Sequence, residues 1–191
     1  MIIDTHAHIL PQATLEAISA SASEFPSVTL IREDDKLQLA FNGGKPTRPI
    51  MPNLRLFEPR QQFMASTGVD LQLPGGWLDS FGYEIPAEEG ADWSRFLNEG
   101  MLADCRDRDG VIPVATVPLQ DGKLAAQVLA EAIKAGMPGA MIGTQNKGTH
   151  GNLDDPDLDP FWEMAAELKV PIIIHPMFGS DDARLHDMQM M

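Results

Sequence analysis

Residues 152–176 read NLDDPDLDPFWEMAAELKVPIIIHP, and this stretch decides the fold. Phe161, Met164, Ala165 and Leu168 recur at i, i+3, i+4 and i+7, the spacing of one helix face. Asp159 can cap that helix, and Pro160 suits its first turn. A short link then leads into Val170 to His175, which is apolar until its final histidine. A strand apolar along its whole length belongs to a parallel sheet covered on both faces. Helix followed by such a strand is half of a βαβ unit.

The same pattern repeats upstream. Strands are expected at Met1 to His8, Val69 to Leu73, Val111 to Val117 and Ala140 to Thr144. Leu124, Ala125, Val128, Leu129 and Ala132 form a helical stripe stopped by Gly136. Trp93, Phe96, Leu97 and Met101 form another, and Glu58-Pro59 opens a helix that ends at Gly68. The later strands start at residues 111, 140 and 170, about 30 apart, as in a (β/α)8 barrel of ~250 residues. An open doubly wound sheet has similar spacing, but no G-x-G-x-x-G follows the first strand. Leu10 to Ser23 reads as a short helix. Lys36 to Ile50 alternates at Leu37, Leu39 and Phe41 before Asn42-Gly43-Gly44, so a β-hairpin flap is expected over 36–50. One domain over 1–191 is expected, holding about five βα units where a closed barrel has eight. The uncapped end at HDMQMM leads us to expect an N-terminal portion of a longer protein.

Composition narrows the function. The 28 acidic and 14 basic residues give a net charge of -14, which argues against nucleic acid and against an anionic membrane surface. No apolar run approaches the ~20 residues of a membrane span, and with no basic stretch before the first strand a leader is not expected. The single cysteine, Cys105, fits a reducing compartment, so a cytoplasmic location is expected.

The residues that carry chemistry lie at strand ends. In Asp4-Thr5-His6-Ala7-His8, positions 4, 6 and 8 of a strand share a face, so two imidazoles can converge on one metal. Asp4 stands one step deeper, where a carboxylate can support a ligand. On its own, His-x-His is as easily two chance histidines. His175 follows three isoleucines, and a buried histidine there needs either a backbone partner or a metal. Taken together, His6, His8 and His175 fall on the carboxyl-end rim, where parallel α/β folds act. Three protein ligands with an open position is the catalytic zinc arrangement.

DTHAH at the start, PVATVPLQD and NLDDPDLDPFWEMAAELKVPIIIHP together resemble the amidohydrolase superfamily. Within it the chain is similar to the amidohydrolase 2 group, typified by aminocarboxymuconate semialdehyde decarboxylase. The resemblance runs through all 191 residues and is best over 1–10 and 111–176. It implies a (β/α)8 barrel with a small inserted β-hairpin. It also implies one divalent metal, zinc by expectation, on His6, His8 and His175. The implied reaction is non-oxidative decarboxylation of a small unsaturated or aromatic carboxylate, with the metal as Lewis acid and generator of hydroxide. Hydrolysis of a lactone, ester or amide by the same centre is the alternative, and a catalytically incomplete piece is the second. The family's acid/base histidine, in an H-G-G-like stretch, and its strand-eight aspartate have no counterpart in this sequence, so the acid/base residue is expected beyond residue 191. The family also uses an arginine of the flap to hold a substrate carboxylate, at times across a dimer interface. Arg48 lies on the expected flap and is the candidate for that role, with an exposed surface arginine as the alternative; a homodimer is one expected assembly. Trp77, Asn146 and His150 are the remaining candidates to line the substrate pocket, with packing or solvent as the alternative for each. Lys147 is expected to be a loop residue and not a bridge between two metals.

Overall fold

The computed structural model describes residues 1–34, 36–147 and 151–177. The element order is β1 (Ile3–Ile9), α1 (Gln12–Ala20), β2 (Val28–Glu33), β3 (Lys36–Phe41), α2 (Pro52–Arg55), α3 (Phe57–Thr67) and β4 (Leu71–Gly76). It continues with α4 (Ala87–Cys105), α5 (Gly122–Lys134), β5 (Ala140–Gly143), α6 (Asp159–Leu168) and β6 (Ile172–His175). β1 pairs with β4 in parallel, and β5 pairs with β6 in parallel.

The segment at 111–117 joins these pairs into one parallel arc, yet it is not a strand. It makes two isolated parallel bridges, Val111 with Gln72 and Ala115 with Ala140. The expected strand there is corrected for a covalent reason. Proline has no N–H to give a ladder, and Pro74 of β4 and Pro113 each delete a donor in this region. What remains still holds the chain: Ile112 N donates to Gln72 O at 3.0 Å, Val114 N to Pro74 O at 2.9 Å and Met141 N to Ala115 O at 2.8 Å.

β4 runs on through Pro74-Gly75-Gly76, three residues past the expected strand end at Leu73. The glycines serve close approach. A Cβ on Gly75 would lie 2.5 Å from Met141 Sδ, and one on Gly76 would lie 2.5 Å from Thr116 Cγ2.

The flap also differs from the expected 36–50 hairpin. β3 finds its regular antiparallel partner before it, in β2, with Val28 opposite Phe41 and Glu33 opposite Lys36. The return after Asn42-Gly43 is looser: Thr47 N donates to Leu39 O and Ile50 N to Leu37 O, both at 2.7 Å, without forming a strand. Pro46 and Pro49 flank Thr47 and Arg48 and explain why the ladder stops at two bonds.

Two apolar clusters hold these layers. The larger places Val114, Ala115, Met141 and Ile142 against Val128, Leu129 and Phe161 of α5 and α6. The second joins Leu10, Leu15 and Ile18 to Leu39 and Phe41 of the flap and to Trp93 and Leu97 of α4. Helix ends follow local chemistry. Asp121 Oδ1 accepts from Lys123 N and Leu124 N, both at 2.9 Å, and starts α5. Gly68, with φ of 72°, closes α3. Asp159 is the first residue of α6 and not its cap; Asp155 caps the 3-10 turn Pro156–Leu158 just before it.

Candidate metal centre

β1 and β6 lie at opposite sides of the arc, and their carboxyl ends meet. His6 Nε2 stands 2.8 Å from His175 Nε2, and His8 Nε2 stands 3.2 Å from the same atom. All three ligand nitrogens fall within 4.8 Å of one another. Among the described residues this is the group of three able to hold a metal ion.

The outer ring nitrogens decide what the inner ones can do. His8 Nδ1 contacts Gly76 O at 3.2 Å, and His175 Nδ1 contacts Pro176 O at 2.7 Å. A carbonyl oxygen only accepts, so both Nδ1 atoms donate. In the neutral rings this leaves Nε2 of each as a lone pair aimed at the other. Burial also holds the His8 imidazole below the usual histidine range, outweighing the Gly76 carbonyl. Lone pairs facing each other at 3.2 Å want a cation between them. An ion ~2.0 Å from each nitrogen would space tetrahedral donors by roughly 3.3 Å, close to the His8–His175 separation. The donor set therefore fits a divalent metal, and the backbone carbonyls orient the ligands as ligating histidines require.

Strict alternation does not explain why His6 and His8 converge. β1 carries a bulge: Asp4 lies opposite Gln72, but Ala7 lies opposite Pro74, so β1 spends one extra residue. Asp4 Oδ1 accepts from the His6 backbone N–H at 3.0 Å, while its Oδ2 accepts from Gln72 Nε2 at 2.7 Å. Asp4 thus touches the backbone beneath the ligands and not their rings. Gln72 Oε1 in turn accepts from Arg60 NH1, and Arg60 NH2 donates to His8 O at 2.6 Å. Gln72 and Arg60 were not singled out from sequence. The available signal was a lone glutamine within an apolar strand, a polar group that must find partners.

The other candidates separate. Arg48 does not stand open to a substrate carboxylate in this structure, because its guanidinium already forks onto Asp79. Nε donates to Oδ2 at 2.9 Å and NH2 to Oδ1 at 2.8 Å, and Asp79 raises the arginine's pKa. Its guanidinium carbon also lies 5.7 Å from the centre of the Trp77 ring. Trp77 is buried in the second apolar cluster. Arg48 and Asp79 line a cavity of about 300 Å³ with Lys45, Thr47, Tyr83 and Met177, the last only two residues past His175. Asn146 is neither solvent-facing nor part of that lining. It is fully buried, and its Nδ2 donates to Asp155 Oδ2 at 3.2 Å. Gly151 packs against it so closely that a Cβ there would lie 1.8 Å from Asn146 Oδ1. Lys147 pairs with Asp155 at 3.0 Å, a loop role. His150 lies outside the described residues.

The family model described as Amidohydrolase matches residues 3–191. The chain is 28% identical over 183 residues to the 2-amino-3-carboxymuconate-6-semialdehyde decarboxylase of Dictyostelium discoideum, covering 94% of this chain and 50% of that protein. The chain therefore spans about half the length of that relative. Among solved structures, a dihydroxybenzoic acid decarboxylase from a Polaromonas species, with bound manganese and the inhibitor 2-nitroresorcinol, matches with a TM-score of 0.67. It is 20% identical, over 98% of this chain and 53% of that one. The 5-carboxyvanillate decarboxylase of Sphingomonas paucimobilis matches with a TM-score of 0.67 at 21% identity, over 98% and 56%. At these identities the solved structures establish a shared mixed α/β fold.

Proposed function

The chain belongs to the amidohydrolase family, and from that premise we propose that it is part of a metal-dependent enzyme that decarboxylates a small unsaturated or aromatic carboxylate without oxidation. The observation that carries this reading is the convergence of three imidazole Nε2 atoms whose Nδ1 partners, for His8 and His175, are backbone carbonyls. The names of the relatives support the reaction class, since the Dictyostelium protein and both solved neighbours are decarboxylases. We further read the parallel arc as part of a (β/α)8 barrel, with 1–191 as one domain and the flap as its insertion. That barrel would act at the rim where the histidines meet.

His6, His8 and His175 would hold the ion. A divalent ion held there would supply Lewis acidity toward a substrate oxygen. Three imidazoles favour zinc; manganese, present in the Polaromonas neighbour, prefers oxygen donors. The protein's own part is orientation. Gly76 O and Pro176 O fix two rings. The cavity beside Arg48 and Met177 would receive the substrate, and Trp77 would back the Arg48 guanidinium from the apolar core. A substrate carboxylate would share Arg48 with Asp79 or displace it. In the overall reaction the carbon–carbon bond breaks and its electron pair stays on the ring or alkene carbon. That carbon takes up a proton, and carbon dioxide departs. His150 remains a proposed pocket residue, whereas the buried Asn146 would act by holding its loop.

The test is a product assay on the full-length protein with hydroxybenzoate and muconate-type carboxylates. Release of one carbon dioxide per substrate consumed is expected. Consumption with addition of water and no carbon dioxide would replace this reading with hydrolysis.

A further inference from the structure

Beneath the histidines runs a chain of three polar side chains that the reaction itself does not use. It begins at Asp4, whose carboxylate takes the His6 N–H at 3.0 Å and the Gln72 amide at 2.7 Å. It passes through the Gln72 carbonyl to Arg60, whose other terminal nitrogen ends on His8 O at 2.6 Å. Each link comes from a different element, β1, β4 and α3. Gln72 is 3% exposed and Arg60 9%, so these bonds form where water competes little. Gln72 is itself fixed, because its backbone bonds to Gly110 O at 2.7 Å and to Ile112 N at 3.0 Å.

The placement coincides with the β1 bulge. A bulge leaves a backbone group without a ladder partner and re-aims the neighbouring side chain. Here the network grips the backbone of both β1 histidines, the N–H of His6 and the carbonyl of His8. A regular strand would set those two rings by alternation alone; the bulged strand needs its twist held from below. A buried arginine is costly to desolvate, and simple packing of α3 on the sheet would be served by an apolar residue at position 60.

We infer that Arg60, Gln72 and Asp4 are positioning residues that hold the β1 bulge so that His6 and His8 present their Nε2 atoms to one metal ion. This rests on the proposed metal centre. It adds that the affinity of the centre is set by hydrogen-bond direction in a network that never touches the ion.

That direction can be reversed without changing net charge. Gln72→Glu alone puts a carboxylate against Asp4 and should break the link. Adding Asp4→Asn restores it with the opposite polarity: the new asparagine amide donates to the glutamate, which still accepts from Arg60. The asparagine carbonyl still accepts from His6 N–H. The measurement is the zinc dissociation constant of full-length protein by competition with a chromophoric chelator. The visible absorption of the cobalt-loaded form reports ligand geometry alongside it. Replacing partners behind a metal ligand weakens binding ~10- to 100-fold. Gln72→Glu should fall in that range and alter the cobalt spectrum. The double variant Asp4→Asn/Gln72→Glu should return to within about threefold of wild type, with the wild-type spectrum. Wild-type zinc affinity in Gln72→Glu would overturn the inference, as would a well-folded double variant that binds no better than the single one. If the single variant fails to fold, the double variant still decides. Failure of the wild type to bind zinc any better than His175→Ala would remove the metal centre and this inference with it. Loss confined to the network variants leaves the centre standing.

Discussion

At His175 the two ring nitrogens are committed in opposite directions, Nδ1 to Pro176 O and Nε2 toward His6 and His8. His175→Ala removes the atom common to both short nitrogen–nitrogen contacts. It should abolish stoichiometric metal in the dialysed full-length protein and abolish turnover, as should His6→Ala and His8→Ala. Elemental analysis checks this, and full retention in His175→Ala would refute the centre. Arg48 supports a second prediction. A lysine keeps its charge but loses the fork that meets Asp79 through two nitrogens. Arg48→Lys should lower kcat/KM about tenfold or more, ~1.4 kcal/mol of transition-state stabilisation. Steady-state kinetics with the best carboxylate substrate measure it, and unchanged kinetics would leave Arg48 as a partner of Asp79 alone. The three histidines were legible from sequence because ligand chemistry restricts residue type. The partner of Arg48 was not legible, since Asp79 is 31 residues away and only the folded flap brings it within reach.

At the scale of elements, the helices α3 to α6 and the strands β1, β4, β5 and β6 follow from periodicity and capping residues. The misses trace to proline and glycine. Pro74 and Pro113 reduce an expected strand to two bridges, although every apolar side chain in VIPVATV suggests otherwise. Gly75 and Gly76 carry β4 past the expected end at Leu73 because they leave room for Met141 and Thr116. The bulge in β1 is invisible to a reading that assumes period two. Gly122, the first residue of α5, tests how tightly the elements meet. Alanine should favour a helix over glycine by up to ~1 kcal/mol. A Cβ there, however, would lie 1.9 Å from Asp157 O, a backbone atom that cannot swing aside. Overpacking of this kind costs ~1–3 kcal/mol, so Gly122→Ala should be net destabilising by about 1–2 kcal/mol in urea unfolding. A stabilised variant would show that the 3-10 turn yields easily.

At the scale of the whole molecule, the centre ties β1 to β6 across 167 residues, and an ion that binds only the folded chain adds its binding energy to stability. Zinc at a hundredfold excess over its dissociation constant should add about 2.7 kcal/mol. In a chain of 191 residues that corresponds to a rise of roughly 5–10 °C in Tm. Calorimetry with zinc and with chelator checks this, and equal midpoints would contradict a folding-coupled site. Cys105 reads out the same transition independently. Its thiol is buried, and burial pushes its pKa up to about 11. Ellman's reagent should therefore react slowly with the native protein and rapidly once α4 is unfolded. Fast labelling of the native state would place the thiol at the surface.

The distance between His8 and His175 along the chain also has a meaning in time. Ribosomes add about 5–20 residues per second, so the third ligand is made roughly 8–30 s after the first two. Throughout that interval the nascent chain offers only a two-histidine grip, which any passing thiol or free amino acid can outcompete. Loading at this centre would thus wait until β6 has been made, and which metal it acquires would depend on the free-ion pool it meets from then on.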